Sequence, residues 1–318
     1  MSEKTLITEK KISIIVPVLN EVENINSFIE ELSKYNDKFN YEIIFCSDPS
    51  SDGTEELLLN ISNKNPKKYK ALLMSRKFGQ NSCIVAGMEH MSGDAAIIID
   101  VDGQDPVSLI PSFIKKWQEG YMVVSGRRTS RKGETYLKRK ISFLGMKLIN
   151  KLSNIEIPKN VGEFRLIDKS VVKNIISFKE ANPFVRGIIP LVGFKESFIE
   201  YEREPRYLGD TKYNKYTGSL LIGVKGVASL SNKLLYYIAY IGFISSFLSI
   251  ALGIAYFIFK VRGYVDFPIG NPTIVILILF VGGIQLLALG VIGIYIGEIF
   301  DNVKNRPRYI IEKYLGDY

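Results

Sequence analysis

Two long stretches near the C-terminal end carry no charged residue, Leu234 to Phe259 and Phe267 to Gly297. Each exceeds the ~20 apolar residues that a membrane-spanning helix needs. A helix that is hydrophobic on every side lies either in a bilayer or at the centre of a large core. A chain of 318 residues has too little material to enclose both runs. They therefore predict a two-helix transmembrane unit over 233–300. Lys215, Lys225 and Lys233 precede it, and Lys304, Arg306, Arg308 and Lys313 follow it. The intervening loop, KVRGYVDFPIG, carries only Lys260 and Arg262. The excess of basic residues at the outer ends predicts that both termini are cytoplasmic.

The first ten residues are polar, without the apolar run of a secretory signal. The formal net charge of +8 suits an anionic membrane surface. It is not gathered into a basic helix or motif, so no nucleic-acid partner is expected. Between the soluble part and the first span, residues 216–232 place Leu220, Leu221, Val224, Val227 and Leu230 near helical spacing. Such a segment can lie in the headgroup plane, or it can be a plain connector. Gly293 and Gly297 form a G-x-x-x-G pair, with Gly282, Gly283 and Gly290 nearby. Small residues permit close packing in lipid, between the two helices or between subunits of a homo-oligomer.

Residues 1–215 alternate strand and helix patterns, which predicts an α/β domain with a parallel sheet. Strands are expected at 11–18, 41–46, 69–75, 95–100 and 121–126. Helices are expected from Asn20–Glu21 to about Tyr35, after Asp52, from Gln80 to Met91, and around Leu109–Gln118. In such sheets ligands bind beyond the carboxyl ends of the strands. The polar clusters Pro17–Glu21, Ser47–Asp52, Ser75–Gly79, Asp100–Asp105 and Gly126–Arg128 all fall there. The chain has neither G-x-G-x-x-G nor the phosphate-loop pattern, so it has no glycine-rich cradle for a pyrophosphate. One histidine, His90, and two isolated cysteines, Cys46 and Cys83, leave no zinc site or histidine triad. The cysteines read as reduced core residues.

The fourth strand runs into IIIDVDGQDP (97–106). Carboxylates at i and i+2, here Asp100 and Asp102, can meet at one hard cation, with Gln104 as a further oxygen donor. Mg²⁺ or Mn²⁺ suits such a set, because these ions accept one or two carboxylates and take the rest of their ligands from phosphates and water. The same aspartates are equally turn residues beside Gly103.

Further motifs turn this pattern into a resemblance. ISIIVPVLNEVENI (12–25), SDPSSDGT (47–54), LMSRKFGQ (73–80), GDAAIIIDVDGQDP (93–106), VGEFRLID (161–168), REPRYLGDTKY (203–213) and GIYIGEIFDNVKNRPRYII (293–311) occur in this order. Together with the paired apolar runs, the chain resembles the family 2 glycosyltransferases of the GT-A fold. The closest likeness is to the branch that glycosylates polyprenyl phosphates, which includes bactoprenol glucosyltransferases and dolichol-phosphate mannose synthases. The resemblance implies a cytoplasmic GT-A (Rossmann-like) α/β domain over 1–215, an interfacial helix, two transmembrane helices and a cytoplasmic tail over 301–318. The setting implied is the bacterial inner membrane.

The same resemblance implies that Pro17, Asn20, Glu21, Asp48, Arg76 and Asp100 bind the nucleotide, with Asp48 at the base. Asp100, Asp102 and Gln104 would hold Mg²⁺ or Mn²⁺. Arg127 and Arg139 would meet the acceptor phosphate. Asp102, Glu163, Arg165, Arg206 and Lys212 would surround the reacting phosphates. The implied reaction moves a hexose, glucose by family weight, from a UDP-sugar to polyprenyl (undecaprenyl) phosphate with inversion.

Three motifs depart from the family pattern. Ser47-Asp48-Pro49 replaces two aspartates and a glycine, Gly103 replaces leucine, and Glu163 replaces aspartate. A phosphate monoester, with a second pKa of about 6, is already a nucleophile near neutrality. Glu163 need not be a base and can instead orient Arg165 or a sugar hydroxyl. Arg128 and Lys132 read as solvated surface charges. A processive synthase is excluded, since Trp117 is the only tryptophan and sits in no Q-x-x-R-W motif. A GDP-sugar donor, a nucleotidyltransferase that releases pyrophosphate, and a non-catalytic membrane scaffold are the remaining alternatives.

Overall fold

The computed structural model describes residues 8–129, 150, 151, 156, 158–203, 231–263 and 272–317. Arg139, Arg206, Lys212 and all but the last two residues of 216–232 lie outside the described residues.

Strand and helix alternate through the first half: β1 (Thr8–Val18), α1 (Val22–Ser33), β2 (Phe39–Ser47), α2 (Thr54–Lys64), β3 (Tyr69–Met74), α3 (Gln80–Glu89), β4 (Ala95–Ile98), a 3₁₀ turn (Val107–Leu109), α4 (Ile110–Gln118) and β5 (Val123–Arg128). There follow β6 (Val161–Asp168), α5 (Lys169–Ser177), α6 (Val185–Val192), β7 (Glu196–Tyr201), the long helices α7 (Lys233–Val261) and α8 (Pro272–Val303), and β8 (Ile311–Leu315).

The eight strands form one sheet in the order β7-β5-β6-β4-β1-β2-β3-β8. Its centre, β4-β1-β2-β3, is parallel. The sheet is mixed rather than parallel throughout, because β6 runs antiparallel between β4 and β5 and β8 runs antiparallel to β3. Apolar side chains alternate between the two faces of each strand. Ile12, Ile14, Val16 and Val18 pack with Phe28 and Leu32 of α1 and with Phe113 and Trp117 of α4. Ile15, Ile44 and Ile98 face Cys83–Met88 of α3, Val171 of α5 and Ile188 of α6. α3 lies so close to β1 that a Cβ on Gly87 would fall 2.4 Å from Ile15 Cγ2. Both cysteines are free and buried, as expected for core residues.

The segment expected to be a tail is part of the sheet. β8 pairs with Ala71–Met74, and Ser75 N donates to Ile310 O at 3.0 Å. Arg308 donates to the carbonyls of Ile176 and Phe178 and pairs with Glu89 at 3.7 Å. Ala181 N donates to Asn302 Oδ1 at 2.8 Å. The end of α8 is thus joined to the α/β domain on two sides.

α7 and α8 contain stretches long and apolar enough to cross a membrane, Lys233–Leu252 and Phe280–Val303, with mean hydropathies of 1.8 and 2.0. Their large side chains are exposed, Phe243 at 73% and Leu286 at 72%. Tyr295 of α8 donates to Ser231 O at 2.6 Å, just ahead of α7.

Candidate active site

The carboxyl ends of β1, β2 and β4 and the loop before α3 form a connected rim. Pro17 is still within β1, opposite Cys46. Asn20 adopts a left-handed backbone (φ 51°), which asparagine tolerates. Its amide donates to Ser50 Oγ at 3.0 Å, and its side-chain oxygen accepts from Ser51 N at 2.8 Å. Glu21 N donates to Thr54 Oγ1 at 3.0 Å, and Asp52 accepts from Val22 N and Thr54 N. Asn20 and Glu21 therefore shape the loop 48–54 by direct bonds across the β1–β2 edge.

Asp48 is buried, and its two carboxylate oxygens accept the amides of Phe78 and Gly79, each at 2.9 Å. The next residue, Gln80, opens α3 and donates from Nε2 to Asp100 Oδ1 at 3.0 Å. Arg76 is exposed, with its guanidinium 4.0 Å above the Phe78 ring.

Beyond β4 the three aspartates separate into distinct roles. Asp100 is half-buried on the rim. Asp102 is buried, and its Oδ1 accepts from Gln104 N at 3.1 Å across a turn in which Gly103 takes φ 73°. Asp105 is buried and accepts from the Tyr201 hydroxyl and, at 3.5 Å, from Arg128 Nη2. Burial, with the charges of Asp105, Asp102 and Glu163, pushes the Asp100 carboxyl up to about 7, and Arg128 opposes this only in part. The rim is short of positive charge, which is the condition a divalent cation relieves. Among the described residues no three Asp, Glu, His or Cys side chains form a complete metal-binding group. Two carboxylates and Gln104 fit an ion that keeps water and phosphate oxygens as its other ligands.

The cations assemble on the neighbouring strands. Arg128 Nε donates to the Tyr201 hydroxyl at 3.1 Å, and its guanidinium lies over Gly162, where a Cβ would come within 2.6 Å of Nη2. Gly162 is thus the opening through which Arg128 reaches Asp105. Arg203, just past β7, has a buried Nε without a hydrogen-bond partner among the described residues. Burial and the charge of Arg128 lower its pKa, against the pull of Asp105 and Asp102. Sequence reasoning missed both arginines, and it missed Gln80. Arg128 had read as a solvated charge; its neighbour Arg127, expected at the acceptor phosphate, alternates to the opposite face and stacks on Phe198 at 4.0 Å.

On the other face of β6, Ile98 of β4 pairs with Arg165, so the register brings Asp100 level with Glu163 at the rim. Glu163 is buried; its Oε1 accepts from Arg186 Nε of α6 at 2.6 Å, and its Oε2 is 4.0 Å from Arg165 Nη2. Arg165 was expected beside the reacting phosphates. It is instead 2% exposed and donates to the Gly162 carbonyl, so it supports Glu163 from within the core. Its inward direction follows from strand alternation, with Phe164 and Leu166 on the opposite face.

The glycosyl transferase family 2 profile matches residues 13–176, a range that contains the rim from Pro17 to Arg165. The uncharacterized glycosyltransferase YkcC of Bacillus subtilis is 40% identical over 309 residues, covering 96% of this chain and 94% of that protein. A prophage bactoprenol glucosyl transferase homolog of Escherichia coli is 39% identical over 305 residues, 95% of this chain and 99% of its own length. The bactoprenol glucosyl transferase of Shigella phage SfII is 39% identical, with 95% and 98% covered. With the rim inside the matched profile and relatives aligned along almost the whole chain, the protein is a family 2 glycosyltransferase of the GT-A fold.

Proposed function

We propose that this enzyme transfers a hexose, glucose first among candidates, from a UDP-sugar to a polyprenyl phosphate at the cytoplasmic face of a bacterial membrane. The observation that carries the reading is the pairing of Arg128 with Asp105 in the same short turn as Asp100 and Asp102, in a chain that also exposes two long apolar helices. The names of the Escherichia coli and Shigella phage relatives support glucose and the bactoprenol carrier.

Exposed apolar surface on the scale of α7 and α8 calls for lipid. That β8 and the strands preceding α7 belong to one sheet supports a topology in which both ends of the helical pair emerge on the same side. The basic residues flanking the pair make that side cytoplasmic. Residues up to 215, together with the strand after α8, form the catalytic unit; 216–232 is the interfacial segment, and 233–300 is the membrane unit.

Asp100, Asp102 and Gln104 would hold Mg²⁺ or Mn²⁺, which when bound supplies counter-charge to the donor diphosphate. Asp48 fixes the loop before α3 that borders the nucleotide pocket, through its bonds to Phe78 and Gly79. Arg128 and Arg203 receive the acceptor phosphate, with Arg139, Arg206 and Lys212 as further basic contacts. Two anions must approach each other, and fixed guanidiniums offset that repulsion without reorganising during the reaction. A phosphate oxygen attacks the anomeric carbon, the bond to the donor's β-phosphate breaks, and its electron pair leaves with the nucleoside diphosphate. No proton has to be removed from a phosphate dianion. Glu163, engaged by Arg186, serves position rather than proton transfer.

Purified full-length protein, offered a panel of UDP- and GDP-sugars with undecaprenyl phosphate, should yield a hexosyl lipid phosphate by mass spectrometry with UDP-glucose among the active donors. Absence of a lipid product with every donor would overturn the reading.

A further inference from the structure

We infer that Arg186 is a phosphate-binding residue of the transfer reaction, held in its working position by Glu163. The inference rests on the proposed transfer to a phosphate acceptor and adds a residue to it.

Arg186 is the second residue of α6, packed against the face of β6 that carries Glu163 and Arg165. Its Nε donates to Glu163 Oε1 at 2.6 Å, yet the side chain remains 43% exposed. Glu163 itself is 7% exposed. Fixing the guanidinium through Nε leaves the terminal N–H groups on its far side available to a phosphate oxygen.

Charge balance argues in the same direction. Two guanidiniums, Arg165 and Arg186, share the single Glu163 carboxylate. The trio alone carries a net positive charge, which Glu196 offsets from the Arg165 side, and Arg165 is sealed in the core at 2% exposed. Arg186 is the only one of the three whose charged end reaches solvent. The trio sits at the rim, because Glu163 is level with Asp100 by strand register. A carboxylate that grips a half-exposed arginine next to a diphosphate-binding edge is a positioning residue. This accounts for the tolerance of glutamate where an aspartate is the family pattern: the longer side chain need only reach Arg186. The ligand class is a phosphate oxygen, supplied by the donor's diphosphate or by the lipid phosphate.

The test uses the full chain in lipid nanodiscs, with UDP-glucose, Mn²⁺ and undecaprenyl phosphate. Arg186→Ala should lower kcat/KM by roughly 10- to 100-fold, the range for a hydrogen bond to a charged group. A rise in KM for UDP-glucose, with weaker UDP binding by calorimetry, assigns the donor diphosphate. A rise in KM for undecaprenyl phosphate alone assigns the lipid phosphate. Arg186→Lys keeps the charge and loses the fork, so it should recover only part of the loss; it decides the matter if the alanine variant melts early. Glu163→Ala should impair the enzyme as Arg186→Ala does, and the double variant should be no worse than either single one. Glu163→Gln, which retains an acceptor for Nε, should lose less than Glu163→Ala.

Kinetic constants of Arg186→Ala and Arg186→Lys within twofold of the parent would overturn the phosphate role. Strictly additive effects of Arg186→Ala and Glu163→Ala would overturn the positioning link. If the parent protein transfers no sugar to lipid phosphate, the proposed function fails separately. Calorimetric UDP and inorganic phosphate binding, equal in the parent and Arg186→Ala, would then reject the arginine on its own terms.

Discussion

Asp48 receives the backbone amide of Gly79 at 2.9 Å, one residue before Gln80 takes hold of Asp100. The end of β2 is thereby coupled to the end of β4 through the first turn of α3. Asp48→Ala would strand two half-buried amides and detach that turn, at about 2 kcal/mol for a carboxylate hydrogen-bonded twice. The expected result is a lower melting temperature and a raised KM for the nucleotide sugar, with Asp48→Asn intermediate. An Asp48→Ala protein with parental melting and KM would contradict this coupling.

At the opposite end of the strands, Glu42 is fully buried and bonded to Lys11, Ser13, Ser92 and, at 3.1 Å, Lys70. Burial pushes its carboxyl up, but the bonds from Lys11, Ser13 and Ser92 outweigh it and bring the pKa from 4.5 down to about 2. A depressed folded-state pKa gives stability that is fully present above pH 4.5 and is lost as pH falls toward 2. The shift corresponds to roughly 3 kcal/mol. Melting curves of the parent and Glu42→Gln should differ most at pH 6 and converge as the pH approaches 2. A gap independent of pH would argue against the ion-paired state.

Arg308 ties the chain after α8 to the carbonyls of Ile176 and Phe178 and to Glu89. Arg308→Ala should loosen β8 and lower the melting temperature, with a loss of stability of about 2 kcal/mol if both carbonyls lose their charged donor. Amide hydrogen exchange should rise first in Ile311–Leu315 and in β3. Unchanged protection there would show that β8 pairing alone secures the segment.

Gly162 leaves room for the guanidinium of Arg128, since a Cβ would approach Nη2 to 2.6 Å. Gly162→Ala should displace Arg128 from Asp105 and lower kcat, with a loss of stability of about 1–3 kcal/mol, as for other added carbons at a packed position. Tyr201→Phe removes the hydroxyl shared by Asp105 and Arg128 and should act in the same direction. Parental activity in both variants would remove Arg128 from the active cluster.

Hydrophobic period made β1 to β5, α1 to α4 and the two apolar helices legible, because each lays a continuous apolar face or run along the chain. β6 was harder to read as a strand: its inward positions include Glu163 and Arg165, charges that a buried strand seldom carries. β8 hid behind an apolar helix, in a stretch whose lysine and glutamate point to solvent from the sheet edge. In the site, Asp100 and Asp102 announced themselves by spacing beyond a buried strand. Arg128 did not, because an arginine at a strand end looks the same whether it is solvated or turned over a glycine. The available signal was Gly162, a glycine inside a strand, which marks close approach of another group. Arg186 gave no local signal, since its role depends on a carboxylate 23 residues earlier in the chain.

The central claim is that acidic side chains at the end of β4 allow a sugar diphosphate and a lipid phosphate to react beside the membrane. The most direct measurement follows radiolabelled glucose from UDP-glucose into undecaprenyl phosphate with the purified full chain, in the parent and in Asp102→Ala, before and after EDTA. The account predicts transfer by the parent, loss of at least about 100-fold in Asp102→Ala, as for other groups that stabilise transition-state charge, and loss in the parent after EDTA that Mn²⁺ restores. Undiminished transfer by EDTA-treated Asp102→Ala would contradict it.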